Sequence, residues 1–331
     1  MAMISVIIVN YNGRRFLGEL LESLAGQTRS ADEVILVDNA SADGSVPYVR
    51  KSYPWVQVVR LDTNVGFAEG NNVGMDHAQG DYIVLLNSDT VVDQRCIGEL
   101  EQALEADERV GAVVPKIYVA DAFPMIDCAG AEFDNLGFSW GRGSKQPDRG
   151  QFNTLASVPA VTACAMILRR QLLGEETLFD RHLFMYYEEL DLSLRIRGAG
   201  YDIVYAPDAI VHHKGSLSVG KAERKPLLSK QFYANRNRVK ILSRYYPWAV
   251  LFKSLPLICL SLAYWDAVFL LKGGPILFLR AVAGQTRYAL QGLAKRLRGH
   301  SARAKSWLPW MRHHGLGDLW ALKSEFYGGT S

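Results

Sequence analysis

Ile4-Ser5-Val6-Ile7-Ile8-Val9, broken by Asn10-Tyr11-Asn12-Gly13, is a β-branched run that reads as a strand buried on both faces. Phe16, Leu17, Leu20, Leu21 and Leu24 then recur at helical spacing as far as Gln27. Residues 33–37 read as a second strand. It is closed by Asp38-Asn39-Ala40-Ser41-Ala42-Asp43-Gly44-Ser45, a polar stretch suited to a turn and to capping the next helix. Residues 56–59 and 82–86 read as third and fourth strands, separated by Asn64-Val65-Gly66-Phe67-Ala68-Glu69-Gly70-Asn71-Asn72 and a short helix to about Ala78. Strands alternating with helices predict an α/β fold, a Rossmann-like and mostly parallel sheet with helices on both faces.

Beyond this frame, residues 120–157 are rich in Gly, Asp and Ser and predict a long substrate-side loop. Regularity returns at 158–168, and 201–205 reads as a last strand, leading into Pro207 and then Val211-His212-His213. A helix ends near Gly198 between them. The chain has 331 residues, 49% of them hydrophobic and 21% charged, which excludes a disordered or low-complexity protein. Cys96, Cys128, Cys164 and Cys259 form no CxxC pair, so neither a disulfide scaffold nor a structural zinc site is expected, and a reducing compartment fits. Met1–Ser5 has no basic segment or cleavage site, so no secretory signal is read there.

A net charge of +3 hides an asymmetry. Residues 1–213 carry 17 Lys+Arg against 30 Asp+Glu; residues 214–331 carry 20 against 4. This predicts a body over 1–216 and a basic, apolar, helical region over 217–331. Either the basic region meets a polyanionic partner, or the two halves neutralise each other in contact. Residues 247–271 are apolar but interrupted by Lys253, Pro256 and Asp266, which suits a re-entrant or interfacial segment better than an upright span. Leu279, Val282, Thr286, Leu290, Leu293 and Leu297 share one helical face beside Arg280, Arg287, Gln291, Lys295 and Arg298. With Trp307, Trp310 and Trp320 nearby, this predicts a helix on an anionic membrane surface, or one docked on the body with a solvated basic face.

Ligands of open α/β sheets bind beyond the carboxyl ends of the strands. Those ends carry Asn10-Tyr11-Asn12, Asp38-Asn39, Asn64 and Asn87-Ser88-Asp89. In the last, the outer side chains point the same way and can offer oxygen to one hard cation, whose remaining ligands a diphosphate supplies. Glu188-Glu189-Leu190-Asp191 follows the aromatic run Phe184-Met185-Tyr186-Tyr187. Desolvation there raises a carboxylate's pKa and suits it to general-base work, though acids also complement a helix N-terminus. His212 and His213 offer one imidazole near the proposed cation. Asp38 also fits a dinucleotide site, but the glycine pattern that site needs after strand one is missing.

Taken in order, these stretches resemble the family 2 glycosyltransferases of GT-A fold, in their rhamnosyltransferase-like branch. The resemblance covers about residues 4–216, and Arg236-Asn237-Arg238 looks like the family's continuation. It implies a metal-dependent, inverting transfer from a dTDP-, UDP- or GDP-linked sugar, first of all rhamnose, to a lipid-linked or glycan acceptor in cell-surface glycan biosynthesis. It implies Asn10, Tyr11, Asn12, Asp38, Asn39, Asn64, Gly66, Asn71, Asn87 and Ser88 around the nucleotide sugar, and Asp89 with His212 on Mg²⁺ or Mn²⁺. Glu189 falls where the family has its catalytic aspartate, with Glu188 and Asp191 as the other candidates. The expected location is the cytoplasmic face of the inner membrane, peripheral or monotopic, with no nucleic-acid partner. The competing readings are a nucleotidyltransferase on the same sheet and a non-catalytic glycan- or membrane-binding module.

Overall fold

Every residue of Ile4–Asn10 is buried, and this strand lies inside a sheet between two parallel neighbours. The computed structural model describes residues 2–174, 176–215, 224–297 and 304–314; Ser216, Arg298 and Trp320 lie outside them. In chain order the elements begin β1 (Ile4–Asn10), α1 (Arg14–Ala25), β2 (Glu33–Asp38), α2 (Ser45–Ser52), β3 (Gln57–Arg60), α3 (Gly66–His77), β4 (Tyr82–Asn87), β5 (Thr90–Val92), α4 (Cys96–Glu105) and β6 (Val110–Val119). They continue β7 (Ile126–Cys128), β8 (Ala131–Phe133), β9 (Ser139–Gly141), β10 (Ala156–Ser157), β11 (Ala165–Arg169), α5 (Glu188–Gly198), β12 (Asp202–His213), α6 (Arg224–Tyr245), α7 (Trp248–Leu297) and α8 (Ala304–Trp307).

The main sheet runs β10-β12-β6-β11-β4-β1-β2-β3, with β5 on β12 and β7 on β6. β1, β2, β3 and β4 are mutually parallel, and β11 is antiparallel to both β4 and β6. β6 and β12 therefore point the same way as β1, and the carboxyl ends of β1, β2, β4, β6 and β12 share one edge. Alternate residues of β1 feed two cores: Val6 and Ile8 pack with Leu17, Leu20 and α4, and Ile7 and Val9 with Ala68 and Leu192.

The structure differs from the sequence reading in several places. The pair α4–β6 was not anticipated, although all ten residues of β6 are buried. Its Pro115 lacks a ladder donor, and β12 loses register there, between Ala206 and Ile210. That bulge lets β12 run through Pro207 to His213 instead of ending near Tyr205. Within the regular stretch read at 158–168, only the part from Ala165 onward is strand, as β11 (Ala165–Arg169). Residues 120–157 are not one open loop. They contain β7, β8, β9 and β10, and Phe133, Asp134 and Leu136 are buried in a core shared with the C-terminal helices.

α7 is two arms, not one rod, because its backbone is non-helical at Gly274 (φ 80°, ψ 173°). Gln285 Nε2 donates to Asp266 Oδ1 at 2.9 Å across 19 positions, which a straight helix would hold about 28 Å apart. The chain therefore doubles back into a helical hairpin, and both arms rest on α6: Ser261 Oγ accepts from Arg238, and Tyr288 lies 4.2 Å from the Arg236 guanidinium carbon. Of sixteen large apolar side chains exposed among the described residues, twelve lie on α7.

Candidate active site

The turn after β1 is built by its own side chains. Asn10, buried, donates through Nδ2 to Asp38 Oδ1 and Ser41 Oγ, both at 3.1 Å, and its Oδ1 accepts from Gly13 N. Asp38 Oδ2 accepts from Ser41 N at 3.0 Å. Asn39 accepts from Val65 N and donates to Gly66 O, while Asn64 Oδ1 accepts from Gly66 N. Asn10, Asp38 and Asn39 are thus spent on shaping the carboxyl edge, tying β1, β2 and the start of α3 together. Asn12, in the left-handed region, accepts from Ala42 N, and Tyr11 beside it is 54% exposed. Gly66 has φ 89°, and a Cβ there would sit 2.5 Å from Phe184 O, so only glycine fits. Asn71, also expected at the nucleotide sugar, is buried in α3, where its Nδ2 donates to Phe67 O.

Asn87-Ser88-Asp89 faces this turn, since a Cβ on Gly13 would lie 3.1 Å from Ser88 Oγ. Asn87 ends β4, its N–H bonded to Cys164 O. Asp89 Oδ1 is 3.3 Å from the Nε2 of His213, not of His212. Successive residues of β12 point to opposite faces, and His212 stacks instead on Tyr118 at 5.8 Å, beside Phe123. His212 is therefore corrected to His213 as the imidazole next to Asp89. Asp127 of β7, which no motif signalled, holds the other ring nitrogen: Nδ1 to Oδ2 is 2.8 Å. Burial opposes the imidazolium, but Cys164, Asp127 and Asp89 outweigh it and raise the His213 pKa above its ordinary value.

Among the described residues no group of three or more His, Cys, Asp or Glu side chains stands ready to hold a metal ion. One carboxylate and one imidazole facing each other across 3.3 Å are nonetheless a donor set that fits Mn²⁺ or Mg²⁺ once Nε2 gives up its proton to make room for the ion, with further ligands left to a diphosphate.

The three acids of α5 have separate fates. Asp191 is fully committed, to Arg195 (3.0 Å), Arg244 (2.9 Å) and Tyr245 Oη (2.7 Å). Burial opposes its charge, but Arg244 and Arg195 hold its carboxyl below the usual range, so it is not a candidate base. Glu188 is buried with Oε2 unpartnered, and burial together with Glu189 pushes its pKa well up. Glu189 is half-buried, with its pKa raised by burial. Of the three it alone combines solvent access with a raised pKa.

α5 is brought to the carboxyl edge from two sides. Ala68 N donates to Phe184 O at 3.1 Å, and Val161 N to Ser193 Oγ at 2.9 Å; Cys164, three residues on, flanks His213. Glu189 and Asp89 therefore border the same end of the sheet. The approach to α5 is strained. Phe184 (φ 66°, ψ −62°) closes a γ-turn of the rare positive-φ kind, with Met185 N on Leu183 O at 2.8 Å; Tyr186 and Tyr187 also have positive φ. Such conformations cost about 1–3 kcal/mol each without glycine and gather at functional sites.

The profile of Glycosyl transferase family 2 matches residues 5–175, more than half of the chain. The N-acetylglucosaminyl-diphospho-decaprenol L-rhamnosyltransferase of Mycobacterium tuberculosis is 28% identical over 243 residues, covering 66% of this chain and 78% of that protein. An uncharacterized glycosyltransferase of Haemophilus influenzae is 35% identical over 111 residues, 34% of this chain and 37% of its own. Among solved structures, GalNAc-T7 with UDP, GalNAc and Mn²⁺ superposes with a TM-score of 0.59 at 18% identity, over 78% of this chain and 51% of that one. The mannosyltransferase PcManGT of Pyrobaculum calidifontis, with GDP-Man and Mn²⁺, gives 0.50 at 19% identity over 89% and 87%. The sheet order, the acid-bearing carboxyl edge and the matched profile agree, and the chain belongs to glycosyl transferase family 2 and is a glycosyltransferase of GT-A-like fold.

Proposed function

We propose that the chain transfers a sugar, with inversion, from a nucleotide-diphosphate sugar to the hydroxyl of a lipid-linked acceptor at a membrane surface. Rhamnose on dTDP is the first donor to try, by analogy with the mycobacterial relative, whose name specifies rhamnosyl transfer to a diphospho-decaprenol acceptor. The reading is supported by an Asp89–His213 contact at the carboxyl edge and by a half-buried Glu189 on the first turn of α5, a helix tied to that edge through Ser193. Tyr11 and Asn12 offer the exposed surface for the nucleotide, on a turn preorganised by Asn10, Asp38 and Asn39. Asp89 and His213 would hold a divalent ion, which when bound supplies positive charge opposite the leaving diphosphate. Glu189 accepts the proton of the acceptor hydroxyl as its oxygen attacks the anomeric carbon; its raised pKa brings its proton affinity nearer neutrality. Asp127 fixes the His213 ring through Nδ1, so that Nε2 faces Asp89.

The membrane part of the reading is supported by α7. Phe252, Leu255, Leu260, Tyr264, Leu270 and Leu271 form an exposed apolar stripe on its first arm, and Leu279, Val282, Leu290 and Leu297 another on its second. Its one acid, Asp266, is turned inward to Gln285, while Lys253, Lys272, Arg280 and Arg287 are exposed and suit an anionic leaflet at its cytoplasmic face. Arg280 and Arg287 on the second arm argue for a monotopic seat rather than a complete crossing. The division into a body over 1–216 and an acceptor- and membrane-facing region over 217–331 is part of the same proposal.

A thermal-shift panel of UDP-, dTDP- and GDP-sugars, each with and without Mn²⁺ or Mg²⁺, tests it. A metal-enhanced upward shift with at least one donor is expected, since a ligand bound to the folded state stabilises it by mass action. No shift with any donor would contradict it.

A further inference from the structure

The geometry points to Asn237, on α6, as the positioning residue for the catalytic base. Its buried amide nitrogen Nδ2 donates to three carbonyls of the chain leading into α5: Leu183 O at 2.8 Å, Met185 O at 2.9 Å and Tyr186 O at 2.7 Å. Leu183 O is the acceptor of the γ-turn at Phe184, and Tyr186 and Tyr187 follow it at positive φ. None of these residues is glycine, so a relaxed backbone would leave this region and rotate the first turn of α5, which carries Glu189. An amide has two N–H bonds; sharing them among three carbonyls in a fully buried place has no use for helix α6 itself, whose backbone is already paired.

Neighbours reinforce the same loop from the same side. Arg236 donates to Leu183 O at 2.9 Å, Tyr288 of the second arm of α7 donates to His182 O, and Lys295 and Lys240 grip Asp180 at 2.6 and 2.7 Å. The hairpin and α6 thus form a brace behind the base, with Asn237 as its innermost member. Holding a reacting group within a few tenths of an ångström of its productive place is worth about 10²-fold in rate.

The base role of Glu189 rests on the function proposed above, so the test has one arm that does not need it. Asn237→Asp keeps the shape but removes both donors and sets a carboxylate against three carbonyls; Asn237→Ser keeps a single hydroxyl donor. Hydrogen exchange of residues 183–189 is measured on both variants and on the parent, alongside turnover and KM for dTDP-rhamnose with Mn²⁺. We expect Asn237→Asp to exchange at least about 10-fold faster over 183–189 alone, with kcat about 10²-fold lower and donor KM within about twofold. Asn237→Ser should fall between. Unchanged exchange at 183–189 would overturn the assignment whether or not dTDP-rhamnose is turned over. Faster exchange throughout the molecule, with kcat and KM degraded together, would overturn it in favour of a merely structural role.

Discussion

Glu189 and Asp191 stand two residues apart on the first turn of α5, yet their surroundings give them opposite work. Asp191 is a buried counter-ion for Arg195 and Arg244. Asp191→Asn removes the nearest carboxylate of both guanidiniums, leaving Arg195 to Glu176 at 3.4 Å and Arg244 to Asp180 at 3.8 Å, and should cost about 3 kcal/mol, read as a lowered melting temperature. Because its carboxyl is held below the usual range, its contribution is present above pH of about 4 and is lost as pH falls through the depressed pKa. Acid unfolding should therefore lose this component in the variant while the parent retains it. Asp127 acts at one remove, through His213. Asp127→Asn should raise by about 10-fold the Mn²⁺ concentration that half-maximally stabilises the protein with donor present, in a calorimetric or thermal-shift titration. Unchanged Mn²⁺ demand would show that the His213 orientation is fixed elsewhere.

At the scale of elements, the parts legible in the sequence were those with a single clean period. β1, α1, β2 and β4 carry uninterrupted β-branched runs or helical spacing, and each lies within a residue or two of where its pattern puts it. β6 was obscured because Pro115 and Lys116 interrupt its run, and what tolerates them is tertiary: a bulge in β12 opposite Pro115 and an ion pair of Lys116 with Asp148 at 2.9 Å. The segment around Asp134 hid for the same reason, since what buries it, Tyr246 among others, lies far along the chain. Asp134 accepts from Leu136 N and Phe138 N, its carbonyl accepts from Tyr246 Oη, and burial pushes its pKa up to about 6. The folded state thus holds this proton more tightly than the unfolded chain does, and the associated stability, full below pH of about 4, is lost as pH rises through about 6. Asp134→Asn should remove that part of the pH dependence, which thermal melts between pH 4 and 7 would reveal. For α7, Leu260→Glu with Leu271→Glu on its exposed stripe should abolish flotation with anionic vesicles while leaving the melting temperature nearly unchanged. Undiminished flotation would remove α7 as the membrane seat.

Over the whole molecule, the charge asymmetry has an internal outlet that composition alone could not distinguish from an external one. Lys240, Arg244 and Lys295 of the basic region are paired with Asp180 and Asp191 of the acidic body. Lys295, expected at a headgroup, is one of these internal cations. Arg280 and Arg287 remain exposed for an outside partner. The candidate site was legible wherever a strand ended in a polar turn, as at Asn10, Asp38 and Asp89. Choosing His213 over His212, or Glu189 over Asp191, required knowing which face of β12 and which side of α5 each neighbour covers. Those choices meet in one measurement: single-turnover rate and donor affinity of Glu189→Gln beside the parent enzyme, with Mn²⁺ and the donor that shifts its melting most. A base role predicts a rate lower by about 10²–10⁴-fold at an essentially unchanged donor Kd. A rate within a few fold of the parent's, or an equal loss of rate and donor affinity, would contradict it.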